Sequence, residues 1–279
     1  MVAPAISVII PLYNKAVVVE QSIRSVLTQS FHNLELIVVD DGSTDGSAEI
    51  VAKIEDERLK LIQQENGGPG KARNTGVTHA RGEWILFLDA DDELLPNALE
   101  HLYAKHLQHP EVNVIDGAFY VRKGTKEVLY PRKESEIKDN YKAFFYREIL
   151  PSTGHTLFSR QLLQKYPYQT DIRRYEDVEL IMRLLKNAKV VTTSRPIFYV
   201  NTSFSQASHA RPNIQDDFVG HLDFRGKGFW ERMCLYQIYL GERNYYSKDI
   251  RSLYSTLHLR YDLLLMYKLL LYFRKFHVL

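Results

Sequence analysis

Four short apolar runs, each followed by a helix-like segment, occupy the chain up to about residue 110 and leave few folds open. Ile6-Ser7-Val8-Ile9-Ile10 is the first run, with Pro11 expected to end it. Residues 34–39 form the second, stopped by Asp40-Asp41-Gly42-Ser43. Leu59-Lys60-Leu61-Ile62 and residues 83–88 are the third and fourth. Runs that are apolar on both faces suit buried parallel strands. Between them, residues 17–27 place Val19, Ile23, Val26 and Leu27 near helical spacing. Residues 45–54, 71–80 and 96–106 also read as helices. This rhythm predicts a doubly wound, mainly parallel α/β sheet flanked by helices.

Beyond residue 110 the pattern loosens. Residues 112–121 and 128–130 look like strands, and residues 141–150 and 176–186 look helical. Residues 190–193 and 197–200 suggest a late strand pair. From Pro212 no strand alternation remains, and after about Phe229 the chain reads as helical and rich in Leu, Tyr and Arg.

With 279 residues, 45% of them hydrophobic, the chain can bury a large core. Its formal charge of +2 argues against a nucleic-acid partner. A lone cysteine, Cys234, excludes an intramolecular disulfide and reads as a core residue. The first residues lack a secretory pattern, and the most apolar stretch, residues 263–273, is interrupted by Lys268. A cytoplasmic protein is expected, either soluble or peripheral at the inner face of the membrane.

Acidic residues collect at the ends of the predicted strands, where open α/β sheets bind ligands. Asp40 and Asp41 end the second, and Asp89, Asp91 and Asp92 end the fourth. In extended chain Asp89 and Asp91 point the same way. Close carboxylates repel unless a proton or cation relieves them. A hard divalent ion with oxygen ligands does so and keeps positions open for phosphates. Asp92 reads equally well as a helix cap ahead of Pro96. Gly42 can supply a positive φ, and Ser43 or Thr44 a cap, but neither explains two aspartates at a strand tip.

Asn66-Gly67-Gly68-Pro69-Gly70-Lys71-Ala72-Arg73 places bare backbone and two cations at a helix start, which suits a diphosphate or an ordinary Gly-Pro turn. It is not a Walker A loop, because Ala72 stands where Ser or Thr would bind magnesium. Glu176 and Asp177 open another helix. They either complement its dipole or supply a general base for a hydroxyl nucleophile.

As an ordered set, Ser7 to Lys15, Ile37 to Asp45, Asn66 to Gly76, Phe87-Leu88-Asp89-Ala90-Asp91-Asp92 and Glu176-Asp177 resemble the family 2 glycosyltransferases of GT-A fold, over about residues 4–205. The resemblance implies a catalytic domain over residues 1–211, with residues 1–110 the nucleotide half and 111–211 the acceptor half. The residue pattern itself adds a helical extension over residues 212–279. The resemblance implies that Pro11 and Tyr13 border the nucleotide, that Asp41 contacts the base with Asp40 beside it, and that Arg73 lies near the nucleotide. Asp89-Ala90-Asp91 matches the DXD motif, with Asp91 the direct metal ligand and Asp89 in support. Asp177 matches the catalytic base, with Glu176 next to it. Members invert the anomeric centre with Mn²⁺ or Mg²⁺, which offsets charge on the departing diphosphate. The implied donor is a nucleotide sugar, with UDP as carrier, and the acceptor a saccharide or lipid-linked saccharide of polysaccharide assembly. Gly154 to Arg160 resembles an acceptor-side loop, so His155 is expected at the acceptor or donor sugar, or exposed on a solvated loop. The segment Ser205 to His209 resembles a stretch near the diphosphate, making His209 a candidate metal or phosphate ligand.

The tail interleaves Arg243, Lys248, Arg251, Arg260, Lys268, Arg274 and Lys275 with leucines and tyrosines. Such a helix can lie on an anionic membrane, pack on the core, or form a homodimer. Two other readings compete with an enzyme. One is a phosphoacceptor receiver module, which the length and the second acidic pair disfavour. The other is an inactive sugar-nucleotide binder or scaffold, which the presence of both Asp91 and Asp177 disfavours.

Overall fold

The computed structural model describes residues 3–202, 213–242, 246 and 267. In chain order the first elements are β1 (Ile6–Leu12), α1 (Val19–Leu27), β2 (Leu34–Asp40), α2 (Ser47–Ala52), β3 (Leu59–Gln63), α3 (Pro69–His79), β4 (Trp84–Phe87), β5 (Glu93–Leu94) and α4 (Ala98–Gln108). There follow β6 (Val114–Lys123), β7 (Lys126–Tyr130), β8 (Ser135–Glu136), α5 (Asn140–Phe145), β9 (Thr156–Ser159), α6 (Arg160–Lys165), α7 (Glu176–Leu184), β10 (Val190–Asn201) and α8 (Phe229–Glu242).

Among the described residues, one ten-stranded sheet runs β3-β2-β1-β4-β9-β6-β10-β5, with β7 beside β6 and β8 beside β10. Strands β3, β2, β1 and β4 are parallel, in the register Ile6 with Leu34 and Trp84. β9 then enters antiparallel to both β4 and β6, and β6 is parallel to β10. The mainly parallel α/β sheet flanked by helices therefore holds, with an antiparallel strand set into its middle.

The two-residue period of a strand sorts its side chains into two layers. Ile6, Val8, Ile10 and Leu12 pack with Val19, Ile23 and Val26 of α1 and with Leu99 and Leu102 of α4. Ile9, Ile37 and Phe87 point the other way, onto Ala72 and Val77 of α3 and Leu180 and Leu184 of α7. α3 lies close on β1 because Gly76 has no side chain: a Cβ there would come within 2.4 Å of Ile9 Cγ2. A third cluster joins Phe145, Ile172 and Met182 to Phe218, Met233, Cys234 and Leu235, seating α8 and the residues before it on α5 and α7. Cys234 is a buried core residue, as expected, and burial pushes its thiol up to about 12.

Several boundaries differ from expectation. Pro11 does not end β1, which continues to Leu12; β4 stops at Phe87 opposite Ile9, so β4 does not need the N–H that proline lacks. The expected pair at 190–193 and 197–200 is one strand, β10, whose register slips around Pro196. The helix expected over 141–150 ends at Phe145. Helix α2 begins behind Gly46 at φ 85°, so Ser43 and Thr44 do not cap it. Asp92 is no cap either: Asn97 precedes α4, and the buried Asp92 accepts the Asn201 N–H at 2.8 Å. Among the described residues no helix is long and apolar enough to cross a membrane. The basic, apolar stretch expected to meet a membrane or a second subunit, Arg243 to Lys275, lies outside the described residues apart from Tyr246 and Tyr267.

Candidate active site

The C-terminal ends of β1, β2 and β4 place Tyr13, Asp40, Asp41, Asp89 and Asp91 on one edge of the sheet. Pro11 is partly covered there, and Tyr13 is 48% exposed, the condition of a ring available for stacking. Asp40 is buried and its Oδ1 accepts the Ser43 N–H at 3.1 Å, which closes the turn after β2. Gly42 holds φ 76° in that turn, as expected. The Asp41 carboxylate accepts the Gly67 N–H at 2.9 Å, the Gly68 N–H at 2.8 Å and Gln64 Nε2 at 2.7 Å. It fixes the glycine-rich loop ahead of α3 and retains acceptor capacity on Oδ2.

Arg73 lies one turn into α3 and is 5% exposed. Its guanidinium bridges two elements, donating to Asp89 Oδ1 and to Glu176 Oε1, each at 2.9 Å. Strand β4 and helix α7 are thereby tied by one side chain, and the two acidic motifs read separately in the sequence share one site. Arg73 also sits 5.3 Å from the Tyr168 ring, and its buried Nε has no hydrogen-bond partner.

The acids at the start of α7 divide the work. Glu176 is committed to Arg73. Asp177 accepts the Val178 N–H at 2.8 Å, and lone pairs remain on its carboxylate for another donor. Burial raises both carboxyls above their usual range, against the opposing charge of Arg73. A half-buried carboxylate with a raised pKa and unused lone pairs suits a proton acceptor.

The β4 tip carries three carboxylates. Asp89 takes Arg73 on one oxygen and the Thr153 hydroxyl on the other, at 3.3 Å. Ala90 is buried, and its carbonyl accepts the Ser22 hydroxyl at 2.8 Å, which anchors the tip to α1. Asp91 Oδ2 meets Lys15 Nζ at 2.7 Å. Asp92 is pushed up to about 8 by burial and by repulsion from Asp89 and Asp91. This donor set fits a divalent cation. Its ligand atoms are oxygens, the kind a hard divalent ion takes, and a protein ammonium stands on Asp91 where such an ion would compete with it. Asp91 and Asp89 can hold such an ion.

Two histidine expectations fare differently. His155 is neither exposed nor at the cleft: it is 2% exposed and stacked between Phe119 and Phe198, with Nε2 2.8 Å from the Leu150 carbonyl. Antiparallel β9 begins at the next residue and draws it inward. His209 lies outside the described residues. Sequence reasoning passed over Lys15, Thr153, Tyr168 and Asn201. Lys15 carried a usable signal, since it follows Tyr13-Asn14 directly behind the β1 tip. Thr153 and Asn201 reach the site over long separations and carried none.

The mainly parallel sheet flanked by helices, with acids at its strand tips, is a mixed α/β fold similar to the GT-A fold of S. aureus TarS. Residues 7–167 match the model of glycosyl transferase family 2, and the chain belongs to that family of glycosyltransferases. It is 42% identical, over 79% of its length, to the GalNAc(5)-diNAcBac-PP-undecaprenol beta-1,3-glucosyltransferase of Campylobacter jejuni, 72% of which is covered. It is 39% identical over 41% of its length to glycosyltransferase GlyG of Streptococcus pneumoniae, and spans only 39% of that protein. Of glycosyltransferase GlyA from the same organism it spans 19%. S. aureus TarS 1-349 in complex with UDP matches with a TM-score of 0.61 at 26% identity, covering 71% of this chain and 60% of that one. TarS 1-349 in complex with UDP-GlcNAc covers 92% of this chain and 76% of that one, with a TM-score of 0.72 at 24% identity. Family membership removes the receiver-module reading.

Proposed function

We propose that this chain moves a sugar from a UDP-sugar to a hydroxyl of a saccharide or lipid-linked saccharide, inverting the anomeric centre with the help of Mn²⁺ or Mg²⁺. The observation that carries the proposal is the Arg73 bridge, which brings Asp89 and Glu176, and with them Asp91 and Asp177, to one cleft. Asp177 takes the proton of the acceptor hydroxyl as its oxygen attacks the anomeric carbon opposite the leaving UDP. Attack from that side in one displacement inverts the centre. Asp91, supported by Asp89, holds the metal, which when bound neutralises charge on the departing diphosphate. Pro11 and Tyr13 border the nucleotide, and Asp41 meets the base edge through the acceptor capacity left on Oδ2. Asp40 shapes the turn behind it, and Arg73 keeps both acidic motifs in place. The TarS complexes support a UDP-sugar donor, and the C. jejuni relative supports a lipid-linked acceptor.

The test is calorimetry with UDP, with and without Mn²⁺, followed by a screen of UDP- and GDP-sugars for turnover. Metal-dependent UDP binding with turnover is the expected result. UDP binding without turnover of any donor would make the chain a sugar-nucleotide binder. In Asp177→Asn, transfer should disappear while UDP binding stays nearly intact; normal turnover would remove Asp177 from the base role.

A further inference from the structure

The residues just before Glu176 are held by a part of the chain far along the sequence. Arg174 Nη1 donates to Asp217 Oδ2 at 2.6 Å, and its Nη2 donates to Glu242 Oε1 at 3.1 Å. Glu242 Oε1 also accepts the Tyr175 hydroxyl at 2.9 Å, and Asp217 Oδ2 accepts the Tyr246 hydroxyl at 2.9 Å. Asp217 is fully buried and Glu242 is buried at the end of α8. The backbone repeats the tie. The Arg173 N–H donates to the Asp216 carbonyl at 2.7 Å, and the Phe218 N–H donates to the Arg174 carbonyl at 3.1 Å.

Tyr175, caught between this network and Glu176, has φ 59° and ψ 27°. A bulky residue keeps that left-handed conformation only where its surroundings over-determine it. Here both sides of the residue are tied down. Its hydroxyl is held by Glu242, and the Arg174 guanidinium lies 4.2 Å from its ring. The left-handed turn sets the direction in which α7 starts, and therefore where the Asp177 carboxylate sits. Without the network the peptide would relax toward an ordinary helical or extended conformation and rotate Asp177 away from Arg73 and the cleft. The family model ends at residue 167, so neither side of this contact lies within the matched segment.

We infer that Asp217 and Glu242, working through Arg174 and Tyr175, are positioning residues for the base at Asp177, and that the segment after β10 completes the active site. The inference rests on the proposed role of Asp177. In the full-length chain, Tyr175→Phe removes one hydroxyl, and Glu242→Gln removes one charge while leaving an acceptor. Both should lower kcat for UDP release from UDP-glucose or UDP-N-acetylglucosamine about tenfold or more. The donor KM and the calorimetric Kd for UDP with Mn²⁺ should stay within about twofold. The acid limb of kcat should move down in pH, because an Asp177 turned toward water loses the burial that raises it. Arg174→Lys, which keeps the charge but not the two-pronged contact, should fall between wild type and Arg174→Ala. Equal losses of kcat and UDP affinity would overturn the inference, as would a pH limb that does not move. Asp177→Asn, run beside these variants, separates the two claims. If it keeps turnover, the base assignment fails. If it is inactive while Tyr175→Phe and Glu242→Gln match wild type in kcat and pH limb, only the positioning role fails. Should Glu242→Gln melt far below wild type, Tyr175→Phe, which leaves the Arg174–Asp217 pair intact, decides the question alone.

Discussion

Replacing Arg73 with methionine tests the central electrostatic argument directly. Methionine preserves much of the apolar stem but removes the charge between two acidic motifs. The Glu176 side chain is 13% exposed, and stripping one partner from a buried ion pair costs about 3–5 kcal/mol. The Asp89 side chain is 37% exposed and solvated, so its share is only about 0–1 kcal/mol. The expected loss is therefore about 3–5 kcal/mol near neutral pH, carried almost wholly by Glu176. The pH dependence sharpens the test. Burial already raises the folded-state pKa of Glu176 and Asp177, and losing the cation raises both further. The folded protein then holds protons that the unfolded chain releases, so stability falls as pH rises through that interval. Urea denaturation at about pH 5 and about pH 8 should show the smaller loss at the acidic value. A loss below about 1 kcal/mol at the higher pH, or equal losses at both, would refute the account of Arg73 as the counter-charge of a buried acidic pair.

Lys15→Met should raise the affinity for Mn²⁺ in the absence of nucleotide, because the ammonium at 2.7 Å no longer competes for Asp91; paramagnetic resonance of free Mn²⁺ reads this, and weaker binding would contradict it. Asp91→Ala should remove the Mn²⁺ dependence of UDP binding, and an unchanged dependence in calorimetry would place the ion elsewhere. Gly154→Ala should unfold the chain or lower its melting temperature steeply, since residue 154 sits at φ 84° and a Cβ would lie 2.0 Å from the Phe198 ring; a near-normal melting curve would show that this turn is not rigid. In wild type the acid limb of kcat/KM should lie above the ordinary aspartate value of 3.8, in line with the raised carboxyl of Asp177.

What could be read ahead of the structure followed from local chemistry. Ile6 to Ile10 and Phe87-Leu88 are apolar enough to be interior strands in any surrounding, and an aspartate just past such a strand must stand at the sheet edge. Asp89 and Asp91 were legible on those grounds; Glu176 and Asp177 read from the residues only as a helix start with two explanations, and the family resemblance alone pointed to a base there. What was illegible depends on partners distant in sequence. Thr156 to Ser159 is too short and mixed to announce a strand, and becomes β9 only because β4 and β6 each offer it an edge. His155 looked like a loop residue for the same reason. Asp92 resembled a cap because a cap is the local explanation, whereas its partner, the Asn201 N–H, lies on the last strand. The sequence also suggested Asp41 as a ligand contact, and nothing nearby showed that Gln64, Gly67 and Gly68 would claim its carboxylate.

The antiparallel strand in the middle of the sheet also sets the order in which the protein can be made. As the chain leaves the ribosome, β1 to β4 can assemble as soon as Phe87 emerges, because their parallel pairings are all with one another. The outer edge of β4 then stays open until Thr156–Ser159 arrives, and β6, already synthesised, waits for the same strand to join it to the sheet. In the finished fold every residue of β4 is buried, so the nascent half-sheet displays its most apolar edge while the rest is still being synthesised. A pause in synthesis after β4 and before β9 would leave that edge uncovered, and slow codons in that interval should favour aggregation over soluble yield.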